Sequence, residues 1–309
     1  MTLLFRKSDS GDRRSFSISS ASDLGEPLTI TVKRIDNGEY SRHLFDVAKV
    51  GDNLISIGTS GYFTLPEDLT RYQQFFFLAA GSGITPILPL MKVVLTGYPS
   101  IQVILMYSNR TPGEAIFLEE LENLRRKFSS QLQVEYLFSS SQNLLKARLT
   151  KSLLREYVET RVTRKEQTFF FICGPSSYMQ MATITLLTEG IPADNIRKEN
   201  FSTEKPVIKE LPPDTNPHGV QISFEGKRYD ITVQYPLTIL ETAKRAGIIL
   251  PYSCEAGKCG TCSATCLQGK VWLSYNEVLT DRELNKGRIL TCTGYPYGDE
   301  DVKIVFPDL

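Results

Sequence analysis

Histidine is nearly missing from this chain of 309 residues, which has only His43 and His218. The sequence therefore argues against a hydrolytic site built on an imidazole base, because that chemistry needs a histidine beside a nucleophile. Net charge is missing as well, since 35 basic residues balance 35 acidic ones. Proteins that bind nucleic acid usually carry an excess of basic residues, so we expect no nucleic-acid partner.

Long hydrophobic runs are also missing. The longest, such as FFFLAAG and TFFFICG, fall well short of the roughly 20 apolar residues that span a bilayer. The amino terminus, MTLLFRKSDSGDRR, has no charged region followed by an apolar core, so we predict neither a secretory signal nor a membrane span. A reducing cytoplasm fits best, and there closely spaced cysteines are more often metal or redox ligands than disulfides.

Cysteines are concentrated in one stretch, CEAGKCGTCSATC. Cys254, Cys259 and Cys262 follow the spacing C-x4-C-x2-C, and Cys292 lies further along the chain. Plant-type 2Fe–2S centres take three thiolates from one loop and a fourth from elsewhere, whereas structural zinc sites usually pair two C-x2-C knuckles. The spacing favours a 2Fe–2S cluster over zinc, and the small residues of the loop suit backbone N–H groups turned toward it. Cys266 is expected to pack as a buried thiol.

The chain divides into segments of different composition. Residues 1–72 contain short runs, TLLFRK, RSFSIS, LTITVKRI and NLISIGT, that predict the strands of a small barrel or sandwich. Residues 73–203 alternate apolar strands with helices, which predicts a parallel sheet. Residues 204–217 form a proline-rich linker, and residues 218–309 begin with a hairpin and a helix. The first predicted helix of the middle segment ends at about Gly97, and three further helices are predicted at residues 114–127, 149–158 and 176–189.

Two turns of the middle segment follow apolar strands. In AAGSGITP, Gly81 and Gly83 would let the backbone approach a pyrophosphate, and Pro86 suits the first turn of the next helix. In FFFICGPSSYM, a strand ends at Cys173 and a Gly-Pro turn opens another helix. Both turns lie at the carboxyl ends of parallel strands, which predicts a shared crevice. Taken singly, each is also the pattern of an ordinary turn, and Cys173 that of a buried thiol.

Two motifs of the first segment could bind a phosphate and a planar ring. In RSFS, Arg14 and Phe16 share one face of a strand, so the cation could pair with phosphate while the aromatic side chain covers a ring. In GEYS, backbone N–H groups between Gly38 and Ser41 could meet a second phosphate oxygen. Each motif alone is also compatible with a plain strand or turn. Arg110, in YSNRT, could bind the 2′-phosphate of NADPH or be a solvated charge, which leaves the nucleotide as NAD(P)H.

The order of these motifs, R-x-F-S, G-x-x-S, G-S-G-I-T-P and C-G-P-x-x-Y-M, resembles the ferredoxin–NADP reductase superfamily. LPYSCEAGKCGTCSA with LTC at Cys292 resembles the plant-type ferredoxin domain that ends many oxygenase reductases. The whole chain looks like an oxygenase reductase of the phenylacetyl-CoA epoxidase type. The resemblance implies a multi-domain fold: an antiparallel flavin-binding β-barrel at 1–72, an α/β parallel-sheet nucleotide domain at 73–203, and an α+β ferredoxin-like (β-grasp) domain at 218–309.

The resemblance also implies the cofactors FAD, NAD(P)H and a 2Fe–2S cluster, and residues for each. The residues implied for FAD are Arg14, Phe16, Ser17 and Ile18, with Gly38 and Ser41 at the diphosphate and Phe201 near the ring. The residues implied for the nicotinamide nucleotide are Gly81, Gly83, Thr85, Pro86, Cys173, Gly174 and Pro175. Ser17 and Cys173 are the implied catalytic pair.

A nicotinamide gives up two electrons together and a 2Fe–2S cluster takes one, so a flavin is needed between them. We therefore expect an NAD(P)H oxidoreductase that delivers electrons to a protein acceptor, an oxygenase or a desaturase. The family that this chain resembles has more β-structure ahead of the RSFS strand. The flavin barrel of this chain is therefore expected to be truncated at its amino terminus. The alternatives are a flavin-free electron carrier of the ferredoxin type and a zinc-stabilised interaction module.

Overall fold

The structure is a computed structural model that describes residues 1–5, 12–202, 204–206 and 210–307. The chain forms two compact units. The cysteine-loop unit contains Met1–Ser15, Gly51–Tyr62 and Ser202–Leu309, and the parallel-sheet unit contains Phe16–Val50 and Phe63–Phe201. The predicted boundaries after residues 72, 203 and 217 stay predictions. Residues 207–209 of the predicted linker and the last two residues of TLLFRK lie outside the described residues.

The first segment of the chain is less regular than its sequence predicts. Its strands β1 (Thr2–Phe5), β2 (Asp12–Ser15) and β3 (Ile55–Ser56) form an antiparallel sheet in the order β2-β1-β3. The predicted strand LTITVKRI is wrong, because Ile30 makes only an isolated bridge with Ile18. Leu28, the first residue of this run, is 63% exposed. A short helix, α1 (Glu39–Arg42), and a π-helical turn follow instead.

Five parallel strands form the centre of the parallel-sheet unit, in the order β6-β5-β4-β7-β8. The apolar runs predicted as buried strands are confirmed: every residue of TFFFIC is buried. Alternate side chains enter two cores, so that Phe75 and Phe77 pack on one face and Phe76 and Leu78 on the other. The strands are β4 (Gln74–Ala80), β5 (Gln102–Asn109), β6 (Leu132–Phe138), β7 (Thr168–Cys173) and β8 (Ile196–Glu199).

Four helices cover the two faces of this sheet. Residues of α2 and α3 enter one core, and residues of α4 and α5 enter the other. Helix α4 starts at Lys151, later than predicted, because the side chain of Thr150 accepts a hydrogen bond from the Leu153 amide and caps the helix there. Helix α3 also starts later than predicted, because Phe117, just before it, has a left-handed backbone with φ 61°. The helices are α2 (Ile84–Gly97), α3 (Leu118–Lys127), α4 (Lys151–Arg161) and α5 (Ser176–Thr188).

The last segment folds as a mixed sheet with a helix packed on it. The predicted hairpin is confirmed as an antiparallel pair, and the sheet order is β10-β9-β15-β11-β13, with β15 parallel to β9. A capping box between Thr238 and Glu241 starts the helix, and Ile239 and Leu240 fill the core. The elements are β9 (His218–Phe224), β10 (Lys227–Val233), α6 (Ile239–Arg245), β11 (Ser263–Gln268), β12 (Lys270–Leu273), α7 (Asp281–Asn285), β13 (Arg288–Leu290), β14 (Gly294–Tyr297) and β15 (Val302–Val305).

None of the helices in the described ranges is both long and apolar enough to span a bilayer.

Candidate functional site

The parallel sheet places the two predicted turns side by side. β4 and β7 are neighbours in parallel register, with Ala79 opposite Cys173, while β5 and β6 extend the sheet beyond the other side of β4. The strand order therefore reverses between β4 and β7, and open α/β sheets bind ligands outside the carboxyl ends of the strands at such a point. A Cβ on Gly83 would lie 2.0 Å from the Cys173 carbonyl oxygen. Only glycine allows the two turns this approach.

The first turn, Gly81–Gly83, runs directly into α2. Gly81 has a left-handed backbone, φ 55°, and its carbonyl accepts a hydrogen bond from the Tyr107 hydroxyl at 3.1 Å. The Thr85 hydroxyl donates to the Ser82 carbonyl at 2.9 Å. The turn is thus held from both sides, and the start of α2 can offer its first backbone N–H groups to an anion.

The second turn leaves β7 through Cys173, Gly174 and Pro175 and opens α5. A Cβ on Gly174 would lie 2.9 Å from the Cβ of Ala80, so this turn also packs closely on the end of β4. Burial, and then the Glu199 carboxylate, raise the pKa of the Cys173 thiol. The thiol is therefore neutral at physiological pH, which suits packing against a ring rather than attack as a thiolate.

Glu199 is a candidate that the sequence reasoning missed. Parallel pairing of β7 with β8 sets it opposite Cys173, and the Ser17 hydroxyl donates to its Oε2 at 3.3 Å. Burial raises the pKa of Glu199 to about 7, against the lowering effect of the Ser17 hydrogen bond. A carboxyl group that titrates near neutral pH beside both predicted catalytic residues can hold or release a proton there. Its only signal in the sequence is its place in KENF, two residues before Phe201.

Gly38 and Ser41 lie at the start of α1. The Ser41 hydroxyl donates to the Gly38 carbonyl at 3.0 Å and accepts from the Ile35 amide at 3.2 Å. A Cβ on Gly38 would come within 2.5 Å of the Ser41 oxygen, so a larger residue there would displace the Ser41 hydroxyl. The hydroxyl shapes the turn, and the predicted phosphate contact of these residues depends on backbone N–H groups.

The remaining residues predicted for FAD are placed at several points. Arg14, in β2, donates from Nη1 to the Arg13 carbonyl at 2.7 Å. Ile18 forms the bridge already described, two residues beyond Phe16. Phe201 is 46% exposed, which leaves its ring available for stacking. Their contacts with FAD stay predictions.

Arg110 follows the end of β5. Its Nη1 lies 3.7 Å from Glu114 Oε1, and its side chain is 80% exposed. Asn109, the last residue of β5, is buried, and its side chain interacts with the Tyr107 hydroxyl. Whether Arg110 binds a 2′-phosphate stays a prediction.

The four predicted cluster ligands come together as two pairs. Cys254 interacts with Cys259 through the side chains, and Cys262 interacts with Cys292. A hydrogen bond from the Cys259 thiol is the main cause that lowers the pKa of Cys254. Two neighbouring thiol pairs suit a binuclear iron–sulfur cluster, in which each iron takes two thiolates.

The loop that carries these cysteines has the backbone that such a cluster needs. Glu255, Gly257 and Gly260 all have left-handed backbones, with φ 51°, 69° and 74°. The Ala256 amide donates to Cys254 Sγ at 3.4 Å, as expected for N–H groups turned toward a cluster. Cys266 lies outside both pairs and is only partly buried, with its thiol donating to the Gln268 carbonyl at 3.3 Å.

Both halves of this arrangement match known families. Residues 77–183 match the oxidoreductase NAD-binding domain, and residues 222–297 match the 2Fe-2S iron-sulfur cluster binding domain. The two turns lie inside the residues that match the NAD-binding domain, and the cysteine pairs lie inside those that match the iron–sulfur domain.

Similar proteins cover nearly the whole chain. It is 34% identical to the ferredoxin reductase component of 3-ketosteroid-9-alpha-monooxygenase from Mycobacterium tuberculosis, over 93% of this chain and 78% of that protein. It is 31% identical to one component of 1,2-phenylacetyl-CoA epoxidase from Escherichia coli, over 92% of this chain and 81% of that one. The solved structure of phthalate dioxygenase reductase shares the fold, with TM-score 0.55, 24% identity, and coverage of 100% of this chain and 86% of that one.

These findings confirm the predicted resemblance, with a parallel-sheet nucleotide domain followed by an iron–sulfur domain. The flavin barrel is not confirmed in the same way. With relatives above 30% identity over nine-tenths of its length, the chain belongs to the family of ferredoxin-reductase components of oxygenase systems, which are NAD(P)H oxidoreductases.

Proposed function

We propose that electrons enter this chain at the crevice between β4 and β7, are held by FAD, and leave through a 2Fe–2S cluster on the paired cysteines. The observation that carries the proposal is that one chain contains both a nucleotide crevice at the reversal point of a parallel sheet and two thiol pairs in a matched iron–sulfur domain. FAD supplies the step from a two-electron donor to a one-electron acceptor.

At the crevice, the chain binds and orients the nicotinamide nucleotide. The close contact between Gly83 and the Cys173 carbonyl keeps the two turns together, so that the start of α2 meets the pyrophosphate. The neutral Cys173 thiol packs against the nicotinamide ring. The residues proposed for this site are Gly81, Gly83, Thr85, Pro86, Arg110, Cys173, Gly174 and Pro175.

At the flavin, Ser17 and Glu199 hold a proton beside the reacting atoms. The Ser17 hydroxyl bonded to Glu199 gives a short route between a titrating carboxyl and the ring. The segment of residues 16–50 is described throughout and contains no strand, only an isolated bridge between Ile18 and Ile30. The residues proposed to bind FAD are Arg14, Phe16, Ser17, Ile18, Gly38, Ser41 and Phe201.

The acceptor is a protein, and we propose that it is an oxygenase or desaturase component. The similar proteins from Mycobacterium tuberculosis and Escherichia coli are named as parts of oxygenating enzymes. We also propose that the chain works in the cytoplasm, where reduced thiols persist; its cysteines, all within the described part of the chain, are free.

Absorbance of the purified protein tests the proposal. Flavin bands together with broad iron–sulfur absorption are expected, and NAD(P)H should bleach the flavin. Cys292→Ser should remove the iron–sulfur absorption and the NAD(P)H-dependent reduction of cytochrome c. Cys266→Ser is the matched control and should keep both, because Cys266 lies outside the thiol pairs. A Cys292→Ser protein with the full cluster spectrum would refute the ligand assignment.

A second candidate is a flavin-free electron carrier. It is favoured by one observation, the lack of strands in residues 16–50, all of which are described. Iron–sulfur absorption without flavin bands, unchanged after incubation with excess FAD, would select this candidate.

A further inference from the structure

Two segments from the start of the chain pack on the cysteine loop within the cysteine-loop unit. Ser15, at the end of β2, shares a hydrogen bond of 2.7 Å with Ser253. Tyr62 shares one of 2.6 Å with Ser263. Ser253 comes directly before Cys254, and Ser263 comes directly after Cys262. The two bonds therefore fix the loop at both of its ends.

Arg13 adds a positive charge to the first of these contacts. Its Nη1 donates to the Leu250 carbonyl at 3.0 Å, and its guanidinium carbon lies 3.9 Å from the centre of the Tyr252 ring. Burial lowers the pKa of Arg13, but a guanidinium remains protonated in proteins. Its Nε is buried and has no hydrogen-bond partner among the described residues. A partly buried cation is thus held on Tyr252, two residues before the first cluster ligand.

Tyr62 contacts the cysteine loop through its ring as well as through its hydroxyl. A Cβ on Gly260 would lie 2.6 Å from Cδ2 of the Tyr62 ring, so the ring lies directly on the backbone between Cys259 and Cys262. Burial raises the pKa of Tyr62, so its hydroxyl stays neutral and keeps its proton for hydrogen bonding. The ring covers this side of the loop.

The ferredoxin-like segment has anchors of its own for the loop. Lys244, in α6, contacts both oxygens of Glu255 at 3.1 Å. The Thr291 hydroxyl donates to the Cys262 carbonyl at 3.0 Å. Arg13, Ser15 and Tyr62 are additional to these anchors, since they come from strands and turns far earlier in the chain.

We propose that Arg13, Ser15 and Tyr62 form a clamp of positioning residues that fixes the cysteine loop and raises the reduction potential of its 2Fe–2S cluster. The inference rests on the proposed function only in that the cluster must be bound. Reduction adds a negative charge to the cluster, and a fixed nearby cation favours the more negative state. A loop held at both ends keeps its backbone N–H groups aimed at the sulfurs, and the covering ring limits water, both of which tune such clusters.

Redox titration of the full-length holoprotein, followed by electron paramagnetic resonance of the reduced cluster, tests the charge. Arg13→Gln is expected to shift the equilibrium for cluster reduction about tenfold toward the oxidised form, which is about 59 mV for one electron. Arg13→Lys should retain most of the wild-type potential. Ser56→Ala is the control, because Ser56 lies in the same small sheet but bonds the backbone of Thr2 and Gly58 instead of the cysteine loop.

Hydrogen exchange of residues 253–263 in the same holoprotein tests the positioning. Ser15→Ala and Tyr62→Phe each remove one hydroxyl and should speed amide exchange in the loop several-fold. Tyr229→Phe, in the same core, should not. If Arg13→Gln does not fold, the smaller change Tyr62→Phe decides the outcome.

Potentials and loop exchange that match the wild type in all clamp variants would overturn the clamp. Equal changes in Ser56→Ala or Tyr229→Phe would overturn it too, because they would show general loosening. A wild-type protein without iron–sulfur absorption would instead overturn the proposed function, so the two failures are distinguishable.

Discussion

Replacing Gly83 with alanine tests whether the two turns of the nucleotide crevice must touch. Gly83 has ordinary helical angles, φ −62° and ψ −10°, so alanine costs no backbone strain there. Its added Cβ would lie 2.0 Å from the carbonyl oxygen and 2.5 Å from the carbonyl carbon of Cys173. Both are backbone atoms at the end of a buried strand, so no change of rotamer relieves the overlap.

The size of the effect follows from this distance. Ordinary contacts begin near 3.4 Å, so the two turns have to separate by about 1.4 Å. Overpacking in a close-packed interior costs about 1–3 kcal/mol of the free energy of unfolding, and backbone against backbone belongs at the upper end. The same displacement moves the start of α2 away from Gly174, so we expect NAD(P)H affinity to fall about tenfold or more.

Two other glycines provide matched controls. Gly97, at the end of α2, has open space around its Cα and no left-handed φ, so alanine should stabilise the chain by up to about 1 kcal/mol. Gly81 also has open space but a φ of 55°, so alanine there should cost about 1 kcal/mol through strain alone. Urea unfolding followed by circular dichroism gives the stability, and fluorescence titration gives the affinity for NAD(P)H.

The reasoning is refuted if Gly83→Ala unfolds at the same urea concentration as the wild type and binds NAD(P)H equally well. The two turns would then have slack that the 2.0 Å distance excludes. Equal losses of stability in Gly83→Ala and Gly81→Ala would also contradict it, because backbone strain of about the same size would then explain both.

Three further changes have defined outcomes. Burial raises the pKa of Glu199 from 4.5 to about 7, so between these pH values the folded chain keeps a proton that the unfolded chain has lost, and the free energy of unfolding should fall as pH rises through this range. Glu199→Gln should flatten this pH dependence in urea unfolding, and an unchanged dependence would contradict the shift. Arg110→Ala should weaken NADPH binding about tenfold and leave NADH binding unchanged. Equal effects on the binding of the two nucleotides would show that Arg110 is a solvated charge and does not bind the 2′-phosphate. Lys92 contacts Glu26 at 2.7 Å and Glu120 at 2.6 Å, so Lys92→Ala should cost about 1–2 kcal/mol in urea unfolding while Lys92→Arg costs less.

The parts of the fold that the sequence predicts well are those set by local patterns. FFFLAA and TFFFIC are almost entirely apolar, as strands buried on both faces must be, and both form central strands of the parallel sheet. The spacing of Cys254, Cys259 and Cys262 likewise carries its own geometry, because a short loop can bring these thiols together in few ways. The turns after β4 and β7 were predictable for the same reason.

The irregular first segment was not predictable in this way. LTITVKRI alternates as a strand should, but a strand needs a partner, and alternation does not reveal whether one is present. The packing of Arg13 and Tyr62 on the cysteine loop joins residues about 200 or more positions apart. Such contacts leave no periodic trace in a single sequence, and only the folded chain shows them.

Glu199 marks the same limit at the site itself. In the sequence it is one of 35 acidic residues, and β8 is an edge strand, where a charged side chain commonly serves to discourage pairing with other chains. Two features change its meaning: the register that sets it opposite Cys173, and the hydroxyl of Ser17, 182 positions earlier, that bonds it. Burial then moves its titration to about pH 7. A carboxyl group becomes a candidate proton carrier here because of what the fold places around it, so its chemistry can be inferred only after the strands are paired.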